Sequence, residues 1–209
     1  MKITKKTVYS VEDFNLQFEP ITGSISILPK KDGGFMAKYL VCDEEPMNPR
    51  DDDRNFGKMV CFHKRYNLGD KTDFKSDDYN SWNELAEAIK KEGVIVIFPL
   101  YLYDHSGLSI KIGDFYSYPL PQGHAHFDSG QVGFIYLTKK RFEESIGISK
   151  EKAIEYVKDE VETYNDYLRG DCYSCVVETF DKEKNSVDFD IVSGFIGHKR
   201  ALEALKKEF

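Results

Sequence analysis

The sequence predicts an α+β fold: a mainly antiparallel sheet with about four helices, in a single domain spanning residues 1–209. Three observations point there. Strand and helix signals come in the order strands, helix, strands, helices, strands, helix, without the regular βαβ alternation of a parallel sheet. The early strand candidates are short, alternating and separated by turn signals. A chain of 209 residues, 41% hydrophobic and 14% aromatic, supplies a substantial core within the usual size of one domain.

NLQFEP, SISILP and FMAKYLVC alternate apolar with polar positions and are separated by TG and KKDGG, so they are expected as antiparallel strands. From Cys42 the chain turns acidic in CDEEPMNPRDDDRNFG, whose two prolines and three consecutive aspartates predict a long loop. GKMVCFH follows as a strand, and KRYNLGDKTDFKSDDYN as a polar, turn-rich stretch. Ser81 and Glu84 in SWNE form a capping box that satisfies helix N-terminal amides. Trp82, Leu85 and Ile89 then recur at helical spacing, which predicts a short amphipathic helix.

VIVIF, residues 94–98, is a continuous apolar run, expected as a strand buried on both faces near the middle of a sheet. Pro99 is expected to limit its ladder, and the chain then delivers Asp104 and His105 to a turn. VGFIYLT is a further strand. Thr138 caps a short helix, and Ser149 caps a longer one running to about Leu168 with Gly170 as its stop. Ala153, Val157, Val161, Tyr164 and Leu168 form one apolar stripe on that helix. CYSCVVETF and SVDFDIVSG are expected to pair as a terminal hairpin, and HKRALEALKK to close the chain as a helix.

A formal charge of -7 argues against a protein that coats nucleic acid through bulk positive charge. It is compatible with a local grip on a short piece of RNA, and with an acidic decoy that occupies a nucleic-acid-binding protein. The basic start MKITKKTVYSVEDF lacks the apolar run of a signal peptide, and no stretch approaches the ~20 apolar residues that cross a bilayer, so no membrane association and a cytoplasmic location are expected. Cys42, Cys61, Cys172 and Cys175 are too few and too irregularly spaced for a secreted disulfide framework, and are expected as thiols.

In an extended strand His124, His126 and Asp128 would share a side, which suits a Zn, Mn or Fe site. Ser129 stands where the fuller H-x-H-x-D-H pattern has its last histidine, and the alternative is a pair of exposed loop histidines. His105 in D-H-S-G is a candidate general acid or base oriented by Asp104 or Asp128; the alternative is an Asp-capped turn with an exposed histidine. In D-S-G-Q, Asp128, Ser129 and Gln131 are candidates to hold phosphate or orient His105, with Gly130 allowing close backbone approach; ordinary turn chemistry is the alternative. Neither Ser106 nor Ser129 sits in a G-x-S-x-G elbow. His63 and Arg65 fall on one side if their strand persists, as a second acid/base and a phosphate clamp, or else as solvated residues at a strand end. C-x-x-C at 172–175 lies in a strand and is assigned to packing. The acidic stretch 43–53 suits a divalent cation, a phosphate mimic or a solvated loop.

NPRDDDRNFGKMVCFHKRYNLGD, VIVIFPLYLYDHSG, FDSGQVGFIYLTKK and DIVSGFIG together resemble a family of small proteins carried by phages, plasmids and other mobile elements of bacteria. Some proteins of this type are linked to anti-CRISPR activity against type II systems, including effects on guide RNA. The resemblance covers about residues 48–197 and includes His63, Arg65, Asp104, His105, Asp128 and Gln131. His126 and Phe127 replace the family's Pro-Trp pair, and Ile191 to Ser193 replace a Ser-Cys-Trp-like run, so His124, His126 and the late segment inherit nothing from it.

The resemblance implies a counter-defence protein that inhibits an RNA-guided type II nuclease by cleaving or disabling its guide RNA. In the catalytic version His105 and His63 are acid and base, and Asp104 and Asp128 orient them or bind a divalent metal. Arg65, Ser106, Ser129 and Gln131 then hold phosphate. The alternatives are a non-enzymatic acidic inhibitor seated in the nuclease channel, and a metal-binding accessory protein unrelated to defence.

Overall fold

The computed structural model describes residues 9–117 and 124–207. Its elements run β1 (Ser26–Pro29), β2 (Phe35–Cys42), β3 (Lys58–Cys61), α1 (Trp82–Lys90), β4 (Val94–Asp104), β5 (Leu108–Ile112), α2 (His124–Phe127), β6 (Ser129–Thr138), α3 (Lys139–Glu144), α4 (Lys150–Leu168), β7 (Cys172–Phe180), β8 (Ser186–Ile196) and α5 (His198–Lys207). This is the expected α+β class, with antiparallel strands in two four-stranded sheets rather than one. The chain divides into two compact units: residues up to Met47 together with those from Asp171, and the intervening Asn48–Gly170.

The first unit holds the sheet β1-β2-β7-β8. Strand alternation sends Ala37, Tyr39 and Val41 of β2 to one face, with Val176 and Phe180 of β7. Phe14 and Phe35 close over that face, their rings meeting edge to face 5.1 Å apart. Leu40 and Cys175 point to the other face, where Ala201 and Leu205 of α5 cover them.

NLQFEP is not a strand, and the reason is chemical. Glu178 on β7 is fully buried, and its carboxylate accepts from Tyr39 Oη and from the backbone N–H of Gln17, the latter at 3.1 Å. The amide that a ladder would use is spent on a buried carboxylate, so the segment lies irregularly across the sheet. Burial, with Glu178 beside it, pushes the Tyr39 phenol well above its ordinary range.

The second unit holds the sheet β3-β6-β4-β5, with VIVIF in β4. It is not the doubly buried central strand expected, because Val94–Phe98 pair with β6 but lie beyond the end of β5 and are half-buried; β4 is flanked on both sides only from Leu100. α4 packs on one face through Ala153, Val157, Val161 and Tyr164, against Leu100, Ile110 and Ile135. α1 packs on the other through Leu85 and Ile89, against Val60, Phe134 and Tyr136. The caps form as their residues dictate: Ser81 accepts from Glu84 N–H, Thr138 from Arg141 N–H and Ser149 from Lys152 N–H. Glu84 reaches back one residue further than a standard box, to Asn80 N–H at 2.8 Å.

Pro99 does not shorten β4. Its partner Phe134 lies on β6, while its carbonyl accepts from Gly113 N–H just past the end of β5. Carbonyl and nitrogen of one residue point the same way in a strand, so the missing N–H faces a side where β5 has already ended.

The acidic loop before β3 is fastened from inside by Arg50, whose side chain is 1% exposed. Its Nε donates to Asp70 Oδ1 at 2.7 Å, Nη2 to Asp70 Oδ2 at 2.9 Å and to Gly57 O at 2.8 Å, and Nη1 to Glu160 Oε2 on α4 at 3.1 Å. Glu160 also accepts from the N–H groups of Phe56 and Gly57, and Asp70 from Met59 N–H. Burial pushes the Glu160 carboxyl above its ordinary value, opposed by those N–H donors and by Arg50. Arg50→Met strips the partner from two largely buried carboxylates. The expected loss is about 3–5 kcal/mol, read from urea unfolding followed by the fluorescence of Trp82, the only tryptophan in the chain and a residue of this unit. A loss below about 1 kcal/mol would contradict this account.

All four cysteines are thiols. Cys42 is exposed, whereas Cys172 and Cys175 are buried, and burial with Asp70 nearby pushes the Cys61 thiol up to about 12. An Ellman assay at pH 8 is therefore expected to titrate Cys42 rapidly and the other three only on unfolding. A second fast thiol in the native protein would contradict the assignment.

Candidate functional site

Sheet register brings the D-H-S-G turn to the start of D-S-G-Q. Tyr103 at the end of β4 pairs with Ser129 at the start of β6, and Asp104 N–H donates to Asp128 O at 2.8 Å. Beyond that bond His105 Nδ1 stands 3.1 Å from Asp128 Oδ2, with the imidazole 47% exposed and the carboxylate 29%. The His105 ring stacks on Tyr103 with centroids 6.0 Å apart. The turn closes through His105 N–H to Gly107 O, with Ser106 in the left-handed region at φ 56° and Gly107 at φ 147°.

β3 ends at Cys61, so the strand that would have aligned His63 with Arg65 does not persist. A turn brings them together instead. The N–H groups of Arg65 and Tyr66 both donate to His63 Nδ1 at 3.3 Å, and the His63 and Tyr66 rings stack 4.9 Å apart and within 10° of parallel. Tyr66 Oη donates to Asp104 Oδ1 at 3.2 Å, and Arg65 Nη2 donates to Asp104 Oδ2. Of the two carboxylates open for His105, Asp128 faces it, while Asp104 holds the 63–66 turn to the end of β4.

These contacts fix opposite tautomers. A His63 Nδ1 that accepts two N–H bonds leaves its proton on Nε2. A His105 Nδ1 facing a carboxylate carries its proton there, which makes Nε2 the basic nitrogen. His105 Nε2 is thus set to take a proton, and His63 Nε2–H to donate a hydrogen bond.

The remaining predicted residues divide. Ser129 Oγ donates to Ala125 O, and Gln131 Nε2 to Gly133 O at 3.4 Å, so both bond local backbone. Ser106 is exposed on the turn beside His105. The H-x-H-x-D expectation fails in its premise: His124–Phe127 is a helical turn, in which alternate residues do not share a side. His126 packs against Tyr116 at 4.8 Å, and the His124 side chain lies outside the described residues. Among the described residues no three His, Cys, Asp or Glu side chains group to hold a metal ion. Asp52 of the acidic stretch pairs with Arg54, which holds its carboxyl down at about 2.

Tyr66 and Tyr103 are the site residues that the sequence does not single out. Both adjoin marked residues, in HKRY and YDHS, and a tyrosine beside a histidine is a signal for ring stacking.

Arg65 is 68% exposed, so its pair with Asp104 orients side chains more than it stabilises the fold. Asp104→Ala is expected to lower unfolding free energy by no more than about 1 kcal/mol. It should nevertheless broaden or shift the NMR signals of His63 and Tyr66, whose stacked turn loses its anchor. A loss comparable to that of Arg50→Met would show Asp104 to be a core residue instead.

Among the described residues no helix is long and apolar enough to cross a membrane. Comparison of the chain with protein-family models, curated proteins and solved structures finds no match in any of the three.

Proposed function

We propose that the protein is an acid–base endoribonuclease whose His105 and His63 act on a phosphodiester of RNA. Its target, following the resemblance at residues 48–197, is the guide RNA of a bacterial RNA-guided type II nuclease, in the host cytoplasm. The observation that carries the reading is the 3.1 Å contact between His105 Nδ1 and Asp128, together with the opposite tautomer of His63. In the proposed step His105 Nε2 takes the proton of a ribose 2′-hydroxyl as its oxygen attacks phosphorus. The 5′-oxygen leaves with a proton from a solvent water, to which His105 returns the one it removed, giving a 2′,3′-cyclic phosphate and a 5′-hydroxyl, while His63 Nε2–H donates a hydrogen bond to a phosphate oxygen. Arg65, held to Asp104 in a solvent-exposed pair, exchanges that partner for the phosphate oxygens.

Guide RNA incubated with the wild type should be cut to products ending in cyclic phosphate, and His105→Ala should slow cleavage by about 10²–10⁴. Asp128→Asn should cost less, because the imidazole remains. EDTA should leave the rate unchanged, since neither proton transfer uses a metal. Equally intact RNA in every lane would sink the reading, and loss of cleavage in EDTA would replace direct acid–base chemistry with a divalent metal.

The net charge of -7 favours one rival, an acidic inhibitor that occupies the nuclease channel without chemistry. That protein would act only at one equivalent or more, and would tolerate His105→Ala while failing when Asp51, Asp52 and Asp53 are neutralised.

A further inference from the structure

A groove of about 710 Å³ opens beside the 63–66 turn, bounded by that turn and by the start of α1. Its volume falls within the ~300–1,000 Å³ of small-ligand sites. Phe62, His63, Tyr66, Tyr79 and Trp82 line it, more aromatic rings than line the cavities beside Arg141, Lys58 or Lys111. The Phe62 and Trp82 rings lie within 18° of parallel with centroids 6.3 Å apart, and His63 with Tyr66 makes a second flat pair. Asn67 and Asp77 add a side-chain amide and a carboxylate, which between them donate and accept hydrogen bonds. Lys64 lines the groove, and Arg65 follows it in the same turn.

We propose that this groove receives one unstacked base of single-stranded RNA, next to the phosphodiester handled by His105 and His63. The ligand class rests on the endoribonuclease reading. The walls themselves favour a planar ring: aromatic faces bind bases by stacking, and amide and carboxylate groups read base edges. His63 belongs both to the groove and to the Asp104-anchored turn, so a base held here presents its own phosphate toward Arg65. A protein of net charge -7 thereby gains RNA affinity from stacking.

Trp82 makes the test direct, because the only tryptophan of the chain lines the groove. The His105→Ala protein, titrated with a mixed-sequence single-stranded RNA tetranucleotide, should show saturable quenching of Trp82 fluorescence. The abasic phosphodiester of the same length should not quench it. Tyr79→Leu, which keeps apolar bulk and removes the ring, should weaken the quenching affinity roughly tenfold. In the cleaving protein the same substitution should raise KM by a similar factor with kcat kept.

Equal quenching by RNA and by the abasic chain overturns the base site, as does cleavage whose KM is unchanged in Tyr79→Leu; the His105 reading survives either result. Base-dependent quenching by a protein that cuts no RNA keeps the base site and removes the nuclease. Neither quenching nor cleavage overturns both.

Discussion

A guanidinium with 1% of its side chain exposed has to be matched group by group, and the loops of the second unit are arranged around that requirement at Arg50. Asp70 meets it with a bidentate pair, Glu160 from α4 with a third contact and Gly57 with its carbonyl. The same carboxylates then take the N–H groups of Phe56, Gly57 and Met59. One cation therefore ties the loop before β3, the start of β3 and the middle of α4 into one rigid piece. Asp70 also closes the excursion that leaves β3 at Cys61, since its N–H returns to Met59 O and Gly69 N–H bonds Tyr164 Oη. His63, Arg65 and Tyr66 ride on that excursion, whose return is held by those two bonds.

The first unit solves a similar problem with a buried anion. Glu178 is surrounded by a phenol and a backbone amide rather than by a cation, and no buried side-chain polar atom among the described residues is left without a partner. In both units a buried charge organises an irregular segment that hydrophobic periodicity cannot place. The energetic logic is shared: desolvating a charge costs several kcal/mol unless the backbone supplies hydrogen bonds, so the backbone bends to supply them.

At the candidate site the division of labour between two aspartates follows from sheet register. The bond from Asp104 N–H to Asp128 O sets the two residues side by side at the sheet end, where Asp128 faces His105 and Asp104 reaches the 63–66 turn. His105 and Arg65 are exposed there, and an aromatic groove opens beside the same 63–66 turn.

Features that depend on near neighbours were legible in the chain. The Ser81, Thr138 and Ser149 caps, the stripe on α4, the strand at VIVIF and the α+β class all follow from spacing within a few residues. The proximity of D-H-S-G to D-S-G-Q was legible as an expectation because both flank strong strands, yet no local rule could say which aspartate faces His105. Only the tertiary structure decided that, together with the irregular course of NLQFEP, the passage of β4 through Pro99 and the helical turn at His124. In each case the deciding partner is distant in the chain or hidden in backbone geometry: Glu178 for Gln17, the early end of β5 for Pro99, and Asp104 for the turn that carries His63. Periodicity reports which residues avoid water, whereas a buried or paired charge reports its partner only once the chain has folded around it.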